Sequence, residues 1–155
     1  MSKSAPRILI VGGVAGGASA ATRARRMNEH AEIIMFEKDH HISFANCGLP
    51  YHIGEEIKDR EKLLVAKPEL FEKRFNIRIR TRHEVTAIDR DNKTITVHDR
   101  DADSSYTESY DKLILAPGAD PLMPPIPGID AKNVYSLRNV EDTDRIKQHV
   151  DQNKP

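Results

Sequence analysis

A chain of 155 residues is long enough to bury the core of about one ordinary domain, which excludes a peptide or a disulfide-stapled miniprotein. Its 24 lysines and arginines balance 24 aspartates and glutamates, so no global field draws it to nucleic acid or to an anionic membrane, and partners must be argued from local sites. There is no apolar run near the ~20 residues of a spanning helix, Met1–Pro6 has no signal-peptide core, and the single cysteine cannot form an internal disulfide or a cysteine-cluster metal site; a soluble cytoplasmic protein is the default expectation.

In chain order, Arg7–Val11 is a short apolar run stopped by glycine, which suits the first parallel strand of a sheet buried on both faces. Ala18, Ala20, Ala21 and Ala24, interleaved with Arg23, Arg25 and Arg26, predict a helix that reaches about His30 and packs closely through its small residues, with Arg25 on the surface. Ile33–Phe36 predicts a second strand, ending at Glu37 and Lys38 and joined to the first by a right-handed crossover. His40–Ala66 is irregular, punctuated by Pro50 and Gly54, and Lys67–Phe75 reads as a short helix opened by Pro68. The β-branched runs Ile77–Thr81, Val85–Ile88 and Thr94–Val97, with a hairpin turn at Asp91 and Asn92, predict an antiparallel insertion over residues 77–98. Lys112–Ala116 predicts another buried strand halted by Pro117 and Gly118, followed by an extended connection through Pro121, Pro124, Pro125, Pro127 and Gly128. Asn139–Val150 reads as a polar, exposed helix whose Asp142, Asp144 and Arg145 carry no chemistry.

Gly12-Gly13-Val14-Ala15-Gly16-Gly17 falls between the first strand and the first helix, where backbone amides and the positive helix end can hold a pyrophosphate. In the G-x-G-x-x-G frame Gly12 supplies the tight turn and Gly17 the close helix packing, while Val14 stands where the middle glycine is usual. Glu37 follows Gly12 by 25 positions, near the spacing of a carboxylate that accepts ribose hydroxyl hydrogen bonds, and it disfavours a 2′-phosphorylated ribose. The plainer alternative is a glycine-rich turn without a ligand. Ser43–Tyr51 sets Cys47 in a polar loop marked by glycine and proline; the cysteine is either a buried, inert small residue or a reactive thiol, the latter if a helix begins there and Ser43 and Asn46 donate hydrogen bonds. His40 and His41 are adjacent rather than four apart, so no metal site is expected. For Tyr51 a packing role is the commoner case.

The stretches Val11–Ser19 and Ser43–Tyr51, together with Tyr110–Ala119, resemble the coenzyme A disulfide reductases within the FAD-dependent pyridine nucleotide-disulfide oxidoreductases. The resemblance spans nearly the whole chain and implies an α/β, Rossmann-like FAD-binding domain with a parallel sheet and an antiparallel β insertion, truncated relative to the family. It implies a flavoprotein with FAD at Gly12, Gly13, Val14, Ala15, Gly16 and Gly17, with Glu37 and Lys38 at the adenosine ribose, Val85 near the adenine, and Ala116 to Gly118 beside the cofactor. Cys47 would be the redox-active nucleophile, and Ser19, Arg23, Arg26, Ser43 and Asn46 would line the coenzyme A site, where guanidinium forks suit phosphate. Related peroxide- and oxygen-reducing enzymes carry a histidine where this chain has Ala15, which favours a thiol substrate.

The domain organisation expected is an FAD-binding portion at 1–120, containing the 43–51 cysteine loop, and at 121–155 a connection and terminal helix leading toward an NAD(P)H domain that lies outside the chain. The activity expected is NAD(P)H-dependent reduction of coenzyme A disulfide, coenzyme A persulfide or polysulfide, which the resemblance does not separate, in a family of homodimers with no nucleic-acid or membrane partner. The chain alone is expected to be incomplete for turnover. The alternatives are a nucleotide-binding module and a fragment without independent catalytic activity.

Overall fold

The computed structural model describes residues 5–153. They form two compact units, the first made of the described residues up to Ser43 with Ala66–Pro117, the second of Phe44–Val65 with the described residues from Gly118. No helix among the described residues is long and apolar enough to cross a membrane.

The first unit is built on β1 (Arg7–Val11), which pairs in parallel with β2 (Glu32–Glu37) on one side and β7 (Lys112–Leu115) on the other; β3 (Arg78–Thr81) completes the sheet order β3-β2-β1-β7. Cover on both faces, by helices on one side and the antiparallel sheet on the other, explains why β1 is apolar without alternation. Ile10, Ile33 and Met35 face one way, onto Ala18 and Ala21 of helix α1 (Ala15–Met27) and Phe71 of α3 (Pro68–Phe75). Leu9, Ile34 and Phe36 face the other way, onto Ile95 and Val97 of the antiparallel sheet β4 (His83–Asp89), β5 (Thr94–Asp99) and β6 (Ser104–Ser109).

Several expectations change. The run Ile77–Thr81 belongs to the parallel sheet as β3 and not to the insertion, because Ile79 pairs with Met35 and its apolar side chain reaches the α1-side core. The antiparallel insertion therefore runs from β4 to β6, and β6 escaped the sequence because only Tyr106 and Glu108 of Ser104–Ser109 are half-buried. Arg25 is not idle surface: its Nε donates to the Phe75 carbonyl at 2.8 Å, Nη2 to that of Asn76 at 2.7 Å and Nη1 to that of Glu29 at 2.6 Å, so it ties the ends of α1 and α3 together. The helix stops at Met27, short of His30, where Asn28 turns extended.

Glu108 lies between two arginines, with one carboxylate oxygen on Arg7 and the other 2.6 Å from Arg80, whose guanidinium also donates to the Tyr106 hydroxyl at 2.6 Å. Desolvation pulls the Glu108 carboxyl upward, yet the hydrogen bonds from Arg7 and Arg80 outweigh it and hold the group below the usual glutamate range. A depressed folded pKa stabilises the fold fully above the unfolded value of about 4.3, and that contribution is lost as the pH falls through the folded value. Glu108→Gln is expected to cost about 1–2 kcal/mol at pH 7 and much less at pH 3. Urea unfolding at the two pH values checks it, and an equal cost at both would contradict it.

In the second unit, Phe44 bridges Leu64 in antiparallel sense and the Ala45 amide donates to the Leu63 carbonyl at 2.8 Å, closing a loop that carries a one-turn 3-10 helix at Asn46–Gly48 and then α2 (Leu49–Ile53). Helix α2 packs against α4 (Val140–Gln152), which begins with a capping box between Asn139 and Asp142. Arg60 forks onto Asp144 at 2.7 and 2.6 Å. The expected exposed helix is thus a packed one, with Val140 and Thr143 buried and both aspartates engaged in structure. Residues 118–139 form no helix or strand, as their prolines predict.

Candidate functional site

At the carboxyl end of the parallel sheet the chain turns sharply into α1, and three of the four glycines of the turn, Gly12, Gly13 and Gly17, each answer a distinct geometric demand. Gly12 has φ +93°, and a Cβ there would sit 2.0 Å from the Ala116 carbonyl oxygen. Gly17 lies so close beneath the turn that a Cβ would meet the Gly12 carbonyl oxygen at 1.7 Å. Gly13 makes room for Glu37, since its Cβ would fall 3.2 Å from that side chain and 2.6 Å from Ile42. The sequence had assigned Gly13 only generally, and the signal lay in the doubled glycine. Val14, at the position usually held by glycine, has φ −83°, so its backbone is not in the left-handed region that would call for glycine.

Helix α1 has no side-chain cap and no acid in its first turn. The amides of Ala15, Gly16 and Gly17 lack intrahelical acceptors by their position, and Ala15 and Gly16 are exposed. Such a set of donors at a positive helix end suits a pyrophosphate. Glu37 is 6% exposed, with Oε2 accepting from the Gly13 amide at 2.7 Å and Oε1 from the Asp39 amide at 3.0 Å. Each carboxylate oxygen keeps a further lone pair, so the group is oriented and still able to accept from ribose hydroxyls. The residues present therefore fit a dinucleotide such as FAD. Val85 is half-buried against the Leu9, Ile34 and Phe36 cluster, and Lys38 gives its carbonyl to Arg100 at 3.2 Å.

Ser43 belongs to the same constellation: its amide donates to the Gly13 carbonyl at 3.0 Å and its φ is +47°, a left-handed conformation seldom held by serine. Ser19, Arg23 and Arg26 are exposed on α1, and the two arginines, three positions apart, share a face. Gly12 to Gly17, Ser19, Arg23, Arg26, Glu37, Lys38, Ser43, Val85 and Ala116 all lie in the first unit; Asn46, Cys47 and Gly118 lie in the second. Cys47 is exposed, which removes the reading of it as a buried inert residue. It sits inside the 3-10 turn rather than at the start of a regular helix, with Gly48 buried beneath it against Leu63. Gly118 has φ +73°, and a Cβ there would meet an Arg138 guanidinium nitrogen at 2.5 Å. Tyr51 is 58% exposed, so packing does not account for it. Among the described residues no group of three or more His, Cys, Asp and Glu is arranged to hold a metal ion, and His52 instead places Nδ1 2.6 Å from the Ile57 carbonyl.

A parallel sheet whose first turn presents uncapped amides beside an oriented carboxylate defines a dinucleotide-binding α/β domain. The model of the pyridine nucleotide-disulphide oxidoreductase family matches residues 6–154, and the chain belongs to that family. Among curated proteins, the coenzyme A disulfide reductase of Staphylococcus aureus strain JH9 is 47% identical over 149 residues, covering 96% of this chain and 33% of its own length. Among solved structures, reduced Bacillus anthracis CoADR-RHD superposes with a TM-score of 0.94 at 55% identity, over 97% of this chain and 27% of that one. An NAD-dependent persulfide reductase from A. fulgidus superposes at 0.88 with 33% identity, over 95% of this chain and 27% of that one. The chain spans about a third of the curated relatives it matches. The family is one of FAD-dependent oxidoreductases served by NAD(P)H.

Proposed function

We propose that this chain is the FAD-binding and thiol-bearing part of an NAD(P)H-dependent oxidoreductase that reduces coenzyme A disulfide, coenzyme A persulfide or polysulfide through Cys47. What supports the proposal is that one chain carries both an oriented, buried Glu37 beside the uncapped turn Gly12–Gly17 and an exposed single cysteine, Cys47. In this reading the amides of the α1 first turn bind the pyrophosphate, Glu37 accepts from the adenosine ribose, and Lys38, Val85, Ala116 and Gly118 complete the surroundings of the cofactor.

The Cys47 thiolate attacks one sulfur of coenzyme A disulfide. A bond forms between Cys47 Sγ and that sulfur, the substrate disulfide breaks, and coenzyme A thiolate leaves. FAD, when bound, supplies the two electrons, drawn from NAD(P)H, that return the mixed disulfide to a Cys47 thiolate and a second coenzyme A thiol. Arg23 and Arg26 bind the substrate phosphates through paired guanidinium forks, and Ser19, Ser43 and Asn46 donate hydrogen bonds to the substrate. Ala15 leaves no imidazole in the turn to serve as an acid toward peroxide, which supports a thiol substrate.

Charge reversal at Arg26 is expected to slow formation of the Cys47 adduct with coenzyme A disulfide by about tenfold and to leave reaction with hydroxyethyl disulfide within about twofold. Intact-mass kinetics read both. Equal slowing with the two disulfides would remove the phosphate role. Arg25 is a poor comparator, because its loss unties α1 from α3. A nucleotide-binding module without thiol chemistry is the second reading, favoured by the gathering of the dinucleotide residues other than Gly118 in the first unit; an unreactive Cys47 would bring it forward.

A further inference from the structure

We infer that Arg100, supplied by the antiparallel insertion, is a positioning residue for the Glu37 carboxylate and hence for the adenosine end of the flavin nucleotide; the inference rests on the FAD reading above. Glu37 can present its remaining lone pairs in a fixed direction only if both amides that hold it are themselves fixed. Gly13 is held within the glycine turn, whose neighbour Gly12 donates to the Phe36 carbonyl at 2.8 Å. Asp39, the other donor, lies two residues past the last paired position of β2, Glu37 opposite Thr81, so the ladder does not hold it.

Arg100 of the insertion and Arg82 just before it hold it instead. Arg100 Nη1 donates to the Lys38 carbonyl at 3.2 Å and lies 3.8 Å from Asp39 Oδ1. The Asp39 carbonyl accepts from the Arg82 amide at 3.2 Å, and the Arg82 carbonyl in turn accepts from the Arg100 amide at 2.9 Å. Behind this contact, Nε and Nη2 of Arg100 both donate to Glu84 Oε2, at 3.1 and 2.7 Å, from the cross-strand neighbourhood of β4 and β5. The guanidinium is thus gripped on one edge by Glu84 and touches the 38–39 turn with the other. A lysine ammonium, a point charge on a flexible stem, cannot make both contacts in one plane. The insertion consequently does more than cover Leu9, Ile34 and Phe36: it fixes the turn that orients the ribose carboxylate.

The test compares the wild-type chain with Arg100→Ala, Arg100→Lys and Glu84→Gln, in two measurements. The first is amide hydrogen exchange without ligand. Asp39 and Gly13 are expected to exchange about tenfold faster in Arg100→Ala and Arg100→Lys and about threefold faster in Glu84→Gln, while Ile10 and Ile34 in the sheet keep their wild-type rates. The second is titration with FAD, with ADP, which carries the adenosine end alone, and with FMN, which lacks it. FAD and ADP are expected to weaken together by about tenfold in Arg100→Ala, with FMN unchanged. Unchanged exchange at Asp39 and Gly13 would overturn the inference, as would faster exchange at Ile10 and Ile34 to the same degree, or equal weakening of FMN. A wild-type chain that takes neither FAD nor ADP would overturn the flavin reading, and the exchange measurement would still decide whether Arg100 positions Glu37.

Discussion

Gly17→Val is expected to abolish FAD binding and to lower the stability of the fold by more than about 4 kcal/mol, a loss confined to sites where the backbone itself cannot yield. The smallest possible side chain at Gly17 would already place Cβ 1.7 Å from the Gly12 carbonyl oxygen and 2.9 Å from its carbon. Relief would require α1 to back away from the turn or the turn to leave the sheet. Neither is easy, because Gly12 donates to Phe36 and β1 is paired along both edges. Gly16 is the matched control: it is exposed, and its Cβ would make only an ordinary contact, 3.4 Å from the Ala116 methyl. Gly16→Ala should therefore unfold within about 1 kcal/mol of wild type. Chemical denaturation of the two variants, read beside flavin titration, checks the contrast, and a stable, flavin-binding Gly17→Val would mean that the turn is built differently.

The second large effect is at sulfur. On exposure to coenzyme A disulfide, the wild-type chain is expected to gain one coenzyme A by intact mass, and Cys47→Ser none. The assignment is clean because Cys47 is the chain's single cysteine, so no other residue can form the mixed disulfide. Its exposure predicts that serine changes stability by no more than about 0.5 kcal/mol and leaves FAD affinity untouched. An adduct in Cys47→Ser would show that coenzyme A is held without a disulfide. A wild-type chain that gains nothing would withdraw the nucleophile from Cys47.

Much of this was legible beforehand wherever local pattern and tertiary demand agree. Arg7–Val11, the glycine turn and Glu37 could be read because a strand buried on both faces, a tight turn and a terminal carboxylate each leave a signature in residue type. The exposed Cys47 loop was legible through its resemblance to a family, not through periodicity. What failed was long-range pairing. Ile77–Thr81 carries the same β-branched signal as a hairpin strand, and only its partner Met35 assigns it to the parallel sheet. Ser104–Ser109 is too polar to announce a strand, since the groups it buries are a tyrosine and a glutamate answered by Arg7 and Arg80, both distant in sequence. Arg25, Arg100 and Asp144 were likewise unreadable, because their partners are backbone carbonyls or oppositely charged side chains that only the fold brings near.

The most direct test of the dinucleotide site is an equilibrium titration of the chain with FAD, followed by visible absorption and flavin fluorescence, for wild type and Glu37→Gln. Glutamine keeps the side chain's shape while removing the charge that the Gly13 and Asp39 amides orient. The account predicts a saturable change in the flavin spectrum for wild type and at least tenfold weaker binding for Glu37→Gln, with both proteins folded by circular dichroism. A folded wild-type chain that leaves the flavin spectrum unchanged, or a Glu37→Gln variant that binds as tightly as wild type, would contradict it.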